Sequence, residues 1–400
     1  MIRVASVLLC LVLLVAACED DGSPSDENTP PTPLTVEWER PTNVISPQNA
    51  NQLRIGGILN AHTSTVFAMH AAANGQRVAT SGGDERLVVW NIASGRPLMS
   101  ISGVIVPQVL LPDDGESVIG LTNNAEIFRW SLQDGSLLAE ARITSEAISA
   151  AVLSPNSARL AVGTTDGWIT LWDTATLDRI ARFAAYPGGS TVQGLYYAPE
   201  DDILYSVGGN GEVLAWNSLN QELLRTLQDD ETVLASASSP DGTRLALAQR
   251  ERLNVYDTRS GTPINQFDIP PFGAIYAMEI SQDNAWIALG GNIDSVTIFD
   301  LSSGELVVAL REHGANFGDL ALSPDRSMIV TALDGGVASV WDLRSFLGAD
   351  IPATQVEVDV PRARLTQIPN LRNSALVWSP EGQYILLADR SGPVYMLHVP

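Results

Sequence analysis

Residues 148–173 read ISAAVLSPNSARLAVGTTDGWITLWD, and this stretch decides the fold. Three short apolar runs, Ile148 to Leu153, Arg159 to Val162 and Trp168 to Trp172, are separated by polar turns, the first of them Ser154-Pro155-Asn156. Proline fixes φ at the second position of such a turn, and Asn suits the position after it. Runs this short, rich in Val, Ile and Leu and bounded by turns, read as strands and not as helices.

The unit recurs along the chain. Its most regular marker is an aromatic residue, usually followed by Asp or Asn: Trp90-Asn91, Trp130-Ser131, Trp172-Asp173, Trp216-Asn217, Tyr256-Asp257, Phe299-Asp300 and Trp341-Asp342, at intervals of 40 to 44 residues. The turn after the first strand keeps the same beat, as Ser239-Pro240-Asp241-Gly242, Ser323-Pro324-Asp325 and Ser379-Pro380-Glu381-Gly382. A turn ending in Gly, such as Arg259-Ser260-Gly261, follows most of the aromatics and precedes a fourth apolar strand. A four-stranded meander cannot bury both faces alone, so units of this period are expected to close into a ring, an all-β β-propeller.

First strands fall near Val66, Val109, Ile148, Val192, Val233, Ile275, Phe317 and Ala375. That predicts eight blades, with seven as the alternative because the second and fifth units are degenerate. The eighth unit stops at His398 without an outer strand, while Leu53 to Leu59 is a strand with no unit of its own. The expectation is that this N-terminal strand completes the last blade.

The aromatic-Asp endings and Ser-Pro-Asp-Gly turns resemble the WD40 family over residues 51–400. The family's Gly-His pair corresponds to Ala61-His62 in the first unit and Glu312-His313 in the seventh. In the first unit His62, Thr80, Asp84 and Trp90 match the family's buried hydrogen-bond tetrad, a structural network. Asp166 matches in the third unit, which lacks the His. The resemblance implies a platform for protein partners. Some other propellers carry a small-molecule or catalytic site in the central channel, and an eight-bladed lipoprotein type assists outer-membrane-protein assembly; both are alternatives.

The N-terminus carries its own signals. Met1 to Ala17 has Arg3 and then an apolar run too short for a membrane span of roughly 20 residues. It ends in Val15-Ala16-Ala17-Cys18, which resembles the lipobox of bacterial lipoproteins and implies cleavage before Cys18 and acylation of Cys18. A general secretory signal cut after Ala17 is the alternative. Residues 18–35 are acidic and Pro/Ser-rich, as expected of a disordered tether, and 36–400 is assigned to the propeller. The implied location is the cell envelope, membrane-anchored through lipid, with the protein a monomer.

Composition excludes several classes. The formal net charge is -23, which repels phosphate backbones and argues against nucleic acid. All 23 basic residues are Arg, so chemistry that depends on Lys is absent. Cys10 and Cys18 precede the domain, and His62, His70, His313 and His398 stand singly, so no metal-ligand spacing appears. No nucleophile elbow or phosphate loop occurs, and no catalytic residue, cofactor or metal is expected. Asp113-Asp114, Asp201-Asp202 and Asp229-Asp230 read as solvated turn residues, not calcium ligands. Between Leu347 and Asn373 an insertion carries Arg362, Arg364 and Arg372, either an anion- or partner-binding loop on one face of the ring or a tolerated surface insertion.

Overall fold

The computed structural model of the chain describes residues 37–143, 147–200, 202–228, 231–293, 295–311, 316–334, 338–346, 357–358, 363–365 and 373–400. The chain forms an eight-bladed propeller of antiparallel four-stranded sheets. Blades 1 to 6 span 66–102, 108–142, 148–184, 192–228, 235–268 and 275–311. Blade 7 runs from 316 to 342 and takes Ala363–Leu365 as its outer strand. Blade 8, residues 373–398, takes Arg54–Leu59, which pairs antiparallel with Val394–His398. The expected closure is therefore present, and the eight-blade count holds.

Neighbouring blades touch chiefly through their first strands, which places those strands around the axis and the fourth strands on the circumference. The hydrophobic core is correspondingly divided. Among the described residues it forms clusters that each join two adjacent blades, including the pair across the seam, blades 8 and 1. The marker aromatic of each blade packs into the cluster shared with the preceding blade: Trp90 against blade 8, Trp172 against blade 2, Trp341 against blade 6. That role explains the regular spacing, because each ring packs at one fixed height of one interface.

The turn markers have local causes. In Ser-Pro-Asp turns the buried Ser donates to the Asp two residues on and accepts the backbone N–H five residues on. Ser239 does so with Asp241 at 2.6 Å and Arg244 at 2.9 Å, and Ser323 with Asp325 at 2.7 Å and Met328 at 2.9 Å. The Asp after the aromatic accepts two backbone N–H groups of the next turn, as Asp300 does from Ser302 and Ser303, both at 2.9 Å. Both devices satisfy polar groups that a tight turn would otherwise strand.

The two ends of the ring differ. One, the turn face, carries the turns that follow first and third strands; the other, the loop face, carries the connections between blades. Residues 37–53 run along the turn face. Ile45 donates to Gly382 O at 2.8 Å, Trp38 Nε1 to Ile92 O at 3.0 Å, and Glu39 N to Gly56 O at 2.7 Å. Trp38, which the repeat pattern leaves unplaced, packs against Gly57 and Gly95, where any Cβ would collide with the indole, and Gly95 also has φ +65.

Candidate functional site

In blade 1 the four residues matched by sequence meet. Trp90 Nε1 donates to Thr80 Oγ1 at 2.9 Å, Thr80 Oγ1 lies 2.8 Å from His62 Nε2, and His62 Nδ1 lies 3.0 Å from Asp84 Oδ1. With Asp84 accepting, Nδ1 carries the proton and Nε2 accepts from the Thr80 hydroxyl, so each group donates to the next. Burial pushes the Asp84 carboxyl up, but bonds from His62 and from the Thr63 and Arg86 amides outweigh it and hold it below the usual value. His62 and Thr80 are buried, so the arrangement fixes the blade and offers no reacting atom to a ligand.

Blade 4 contains a network that the sequence markers did not reveal. Trp216 Nε1 donates to Ser206 Oγ at 3.0 Å, and Tyr186 OH lies 3.0 Å from the same oxygen while donating to Glu212 O at 3.2 Å. Tyr186 thus stands where blade 1 has His62. The signal was available: Ala185-Tyr186 precedes Trp216 much as Ala61-His62 precedes Trp90, and Ser206, like Thr80, stands ten residues before its Trp. Blade 7 has the same pair in Trp341 and Thr331, at 2.9 Å. Blade 3 has Val162 at the hydroxyl position, and Trp172 turns to Thr170 at 2.9 Å. Its Asp166 accepts from Thr164.

The innermost strands carry ionisable groups. Glu279 accepts the Leu322 amide of blade 7 at 2.9 Å, and Asp319 of blade 7 accepts the Leu376 amide of blade 8 at 2.9 Å. Burial pushes Glu279 up to about 8, with the nearby Asp319 adding to the effect, and pushes Asp319 up to about 7. Each carboxyl ties its blade to the next. Among the described residues no group of three His, Cys, Asp or Glu is placed to hold a metal.

On the loop face each of several innermost strands opens with a one-residue bulge, between Val66 and Ala68 and between Ile275 and Ala277, for example. The bulged residues there are Phe67 and Tyr276, and both aromatic rings are exposed. On the turn face, a cleft of about 420 Å³ lies between blades 2 and 3. Arg129 crosses it, donating to Asp114 at 3.0 Å, Ser117 at 3.0 Å and Ala175 O at 2.8 Å. Asp114 also accepts the Glu116 and Ser117 amides, so it is engaged within its own turn. Asp201, Asp229 and Asp230 lie outside the described residues, as do Cys18, His313, Arg362 and Arg372. Arg364 lies in the outer strand of blade 7, opposite Ser339, and not in a face loop.

Two stretches of the chain, 54–91 and 136–173, match the family model "WD domain, G-beta repeat". These two stretches are similar to WD40 repeats. Each matched stretch starts in or just before the outer strand of one blade and ends with the third strand of the next, so the sequence repeat straddles two blades. The chain is similar to Protein tipD of Dictyostelium discoideum, 25% identical over 77% of this chain and 51% of that protein. It is also similar to Autophagy-related protein 16 of Arabidopsis thaliana, 24% identical over 71% of this chain and 57% of the relative. The chain thus spans about half the length of these curated relatives. The crystal structure of the computationally designed Ika8 protein superposes with a TM-score of 0.67 at 19% identity, covering 85% of this chain and 98% of that one, which shows the fold alone.

Proposed function

We propose that this propeller is a protein-binding platform and not an enzyme, monomeric and held at the outer side of a bacterial membrane by lipid on Cys18. The observation that carries the binding role is the pair of exposed aromatics, Phe67 and Tyr276, at bulges on the loop face. Aromatic side chains on a rigid frame are the usual anchors of a protein interface, because they bury large area at small entropic cost. WD40 propellers generally bind protein partners, which agrees.

The anchor fits the same reading. Residues 37–39 lie on the turn face, so a tether of residues 18–35 leaves from that side. At roughly 5–6 Å times the square root of its length, such a tether reaches about 25 Å. The loop face then points away from the membrane, toward a partner. Affinity capture from solubilised envelope tests the platform: the parent chain retains one stoichiometric protein, and Phe67→Ala with Tyr276→Ala loses it while melting unchanged. Equal recovery by both chains refutes the loop-face reading. Cys18→Ser is expected to abolish incorporation of a clickable palmitate analogue and release the protein; labelling that persists removes the anchor.

A further inference from the structure

Several blades reach with a side chain to a backbone group of the next blade. At three interfaces the tie is a neutral hydroxyl. Ser81 of blade 1 donates to Val106 O at 2.5 Å, Ser149 of blade 3 to Val192 O at 2.7 Å, and Tyr196 of blade 4 to Ser236 O at 2.8 Å. From blade 6 to blade 7 and from blade 7 to blade 8 the tie is a carboxyl: Glu279 on Leu322 N and Asp319 on Leu376 N, both at 2.9 Å. A hydroxyl tie is indifferent to pH. A carboxyl tie is not.

The two carboxyls are partly buried, and among the described residues no strand packed around them carries a cation. Glu279 lies among the innermost strand of blade 5, Ala235–Ser238, its own second strand, Trp286–Gly291, and the innermost strand of blade 7, Asn316–Leu322, which contributes Asp319. Asp319 lies among the innermost and second strands of blade 6, its own second strand, Met328–Asp334, and the innermost strand of blade 8, Asn373–Trp378. The other titratable residues on these strands are Tyr276 and Asp334, both toward the loop face. Neither offers a positive charge. The carboxyls also fall where the chain path is least regular, because blades 7 and 8 both take their outer strands from outside the repeat.

We propose that Glu279 and Asp319 make blades 6 to 8 a proton-sensitive sector of the ring. Protonated, the two carboxyls hold three innermost strands together. Ionised, they repel each other across the interface of blades 6 and 7, and the strands loosen. A carboxyl oxygen accepts the amide in either state, so the uncompensated charge, and not the bond, is what changes. Burial sets Glu279 at about 8, with Asp319 adding to the effect, and Asp319 at about 7. Both carboxyls have a value of about 4 in an unfolded chain. The folded sector thus keeps protons that the unfolded chain has released. Its stability is full below the unfolded values and is lost as pH rises through about 7 and then about 8.

The sector bears on the loop face. Tyr276 stands on the same innermost strand as Glu279, at the bulge where that strand begins. Phe67 stands on blade 1, whose tie to blade 2 is the Ser81 hydroxyl. Ionisation therefore loosens the strand that carries one aromatic and leaves the strand that carries the other in place. The regulatory consequence deepens the platform reading and rests on it: a partner gripped by both rings is held in mildly acidic medium and released above neutral pH.

Amide exchange of the full chain, corrected for the chemical exchange rate at each pH, tests the sector. Between about pH 6 and about pH 9, peptides covering Leu322 and Leu376 are expected to lose protection roughly tenfold. Peptides covering Val192 and Ser236, at the hydroxyl ties, are expected to keep theirs. Glu279→Gln with Asp319→Asn retains an oxygen acceptor at each place but cannot ionise, and is expected to hold protection constant over the same range. Constant protection in the parent chain overturns the proposal without recourse to a variant, and so does a loss that the double variant retains. Capture of the partner is expected to fall over this range for the parent and to stay level for the double variant, whereas Phe67→Ala with Tyr276→Ala fails throughout. Level capture while protection falls refutes the link to the loop face. Capture that fails at every pH counts against the platform alone, because exchange reads the sector without a partner.

Discussion

Blades 1 and 4 solve the same problem with different side chains. In each, an indole N–H must find an acceptor inside an apolar interface, and a hydroxyl ten residues earlier supplies it: Thr80 for Trp90 and Ser206 for Trp216. Beyond that pair they diverge. Blade 1 continues through His62 to a carboxylate, and blade 4 ends with the Tyr186 phenol on a backbone carbonyl. The difference shows that the Trp and hydroxyl form the constant core, while the third group needs only to occupy one remaining hydrogen-bonding site. An acid is not required.

The largest effect should come from the seam, which adjoins blade 1 and is remote from blade 4. Deleting residues 51–60 removes the outer strand of blade 8 and exposes the cluster that holds Trp90. Loss of a single cooperative melting transition is expected, with amide exchange rising in blade 1 before blade 4; unchanged melting by calorimetry refutes the closure. Next, Thr80→Val strands both the Trp90 N–H and His62 Nε2, and should cost about 3 kcal/mol in a denaturant titration. Ser206→Ala should cost less, about 2 kcal/mol, because Tyr186 keeps its bond to Glu212 O. A larger loss in blade 4 than in blade 1 reverses the comparison. Tyr186→Phe should cost only about 1 kcal/mol, since Trp216 retains Ser206.

The smallest effect is a pH dependence specific to blade 1. The Asp84 carboxyl lies below its ordinary value in the folded chain, so its contribution is present above the unfolded value of about 4 and is lost as pH falls through the lower folded value. Amide protection around blade 1 should therefore decline in that acid window, and Asp84→Asn should remove the decline. Blade 4, whose network has no carboxylate, should not share it.

What could be read from the sequence was whatever rests on local chemistry. Ser-Pro-Asp turns and aromatic-Asp endings are legible because the bonds they make, such as Ser239 to Asp241, close within a few residues. The seam was legible for a different reason: Leu53 to Leu59 was a strand without a blade, and the last blade lacked one. Tyr186 escaped because its role is defined by a partner 20 residues away, Ser206, and a phenol does not resemble an imidazole in a pattern of letters. The outer strand of blade 7 escaped because an insertion separates it from its sheet, so Ala363–Leu365 falls off the repeat period. Phe67 and Tyr276 escaped because a bulge, and not the alternation of the strand, decides that they face solvent.

The seam also has a mechanical side. Seven blades are continuous in chain between their third and fourth strands, whereas blade 8 joins these strands by hydrogen bonds alone, over the rungs from Arg54–His398 to Leu59–Val394. Under the proposed anchoring, tension carried by residues 18–35 would enter the ring at this junction. It would meet first the contacts of Trp38 with Ile92 O and of Glu39 with His398, then the ladder itself. A pull on such a tether would bear on the place where blade 8 is fastened by hydrogen bonds alone, and the Trp38 clamp would work as strain relief ahead of the fastener.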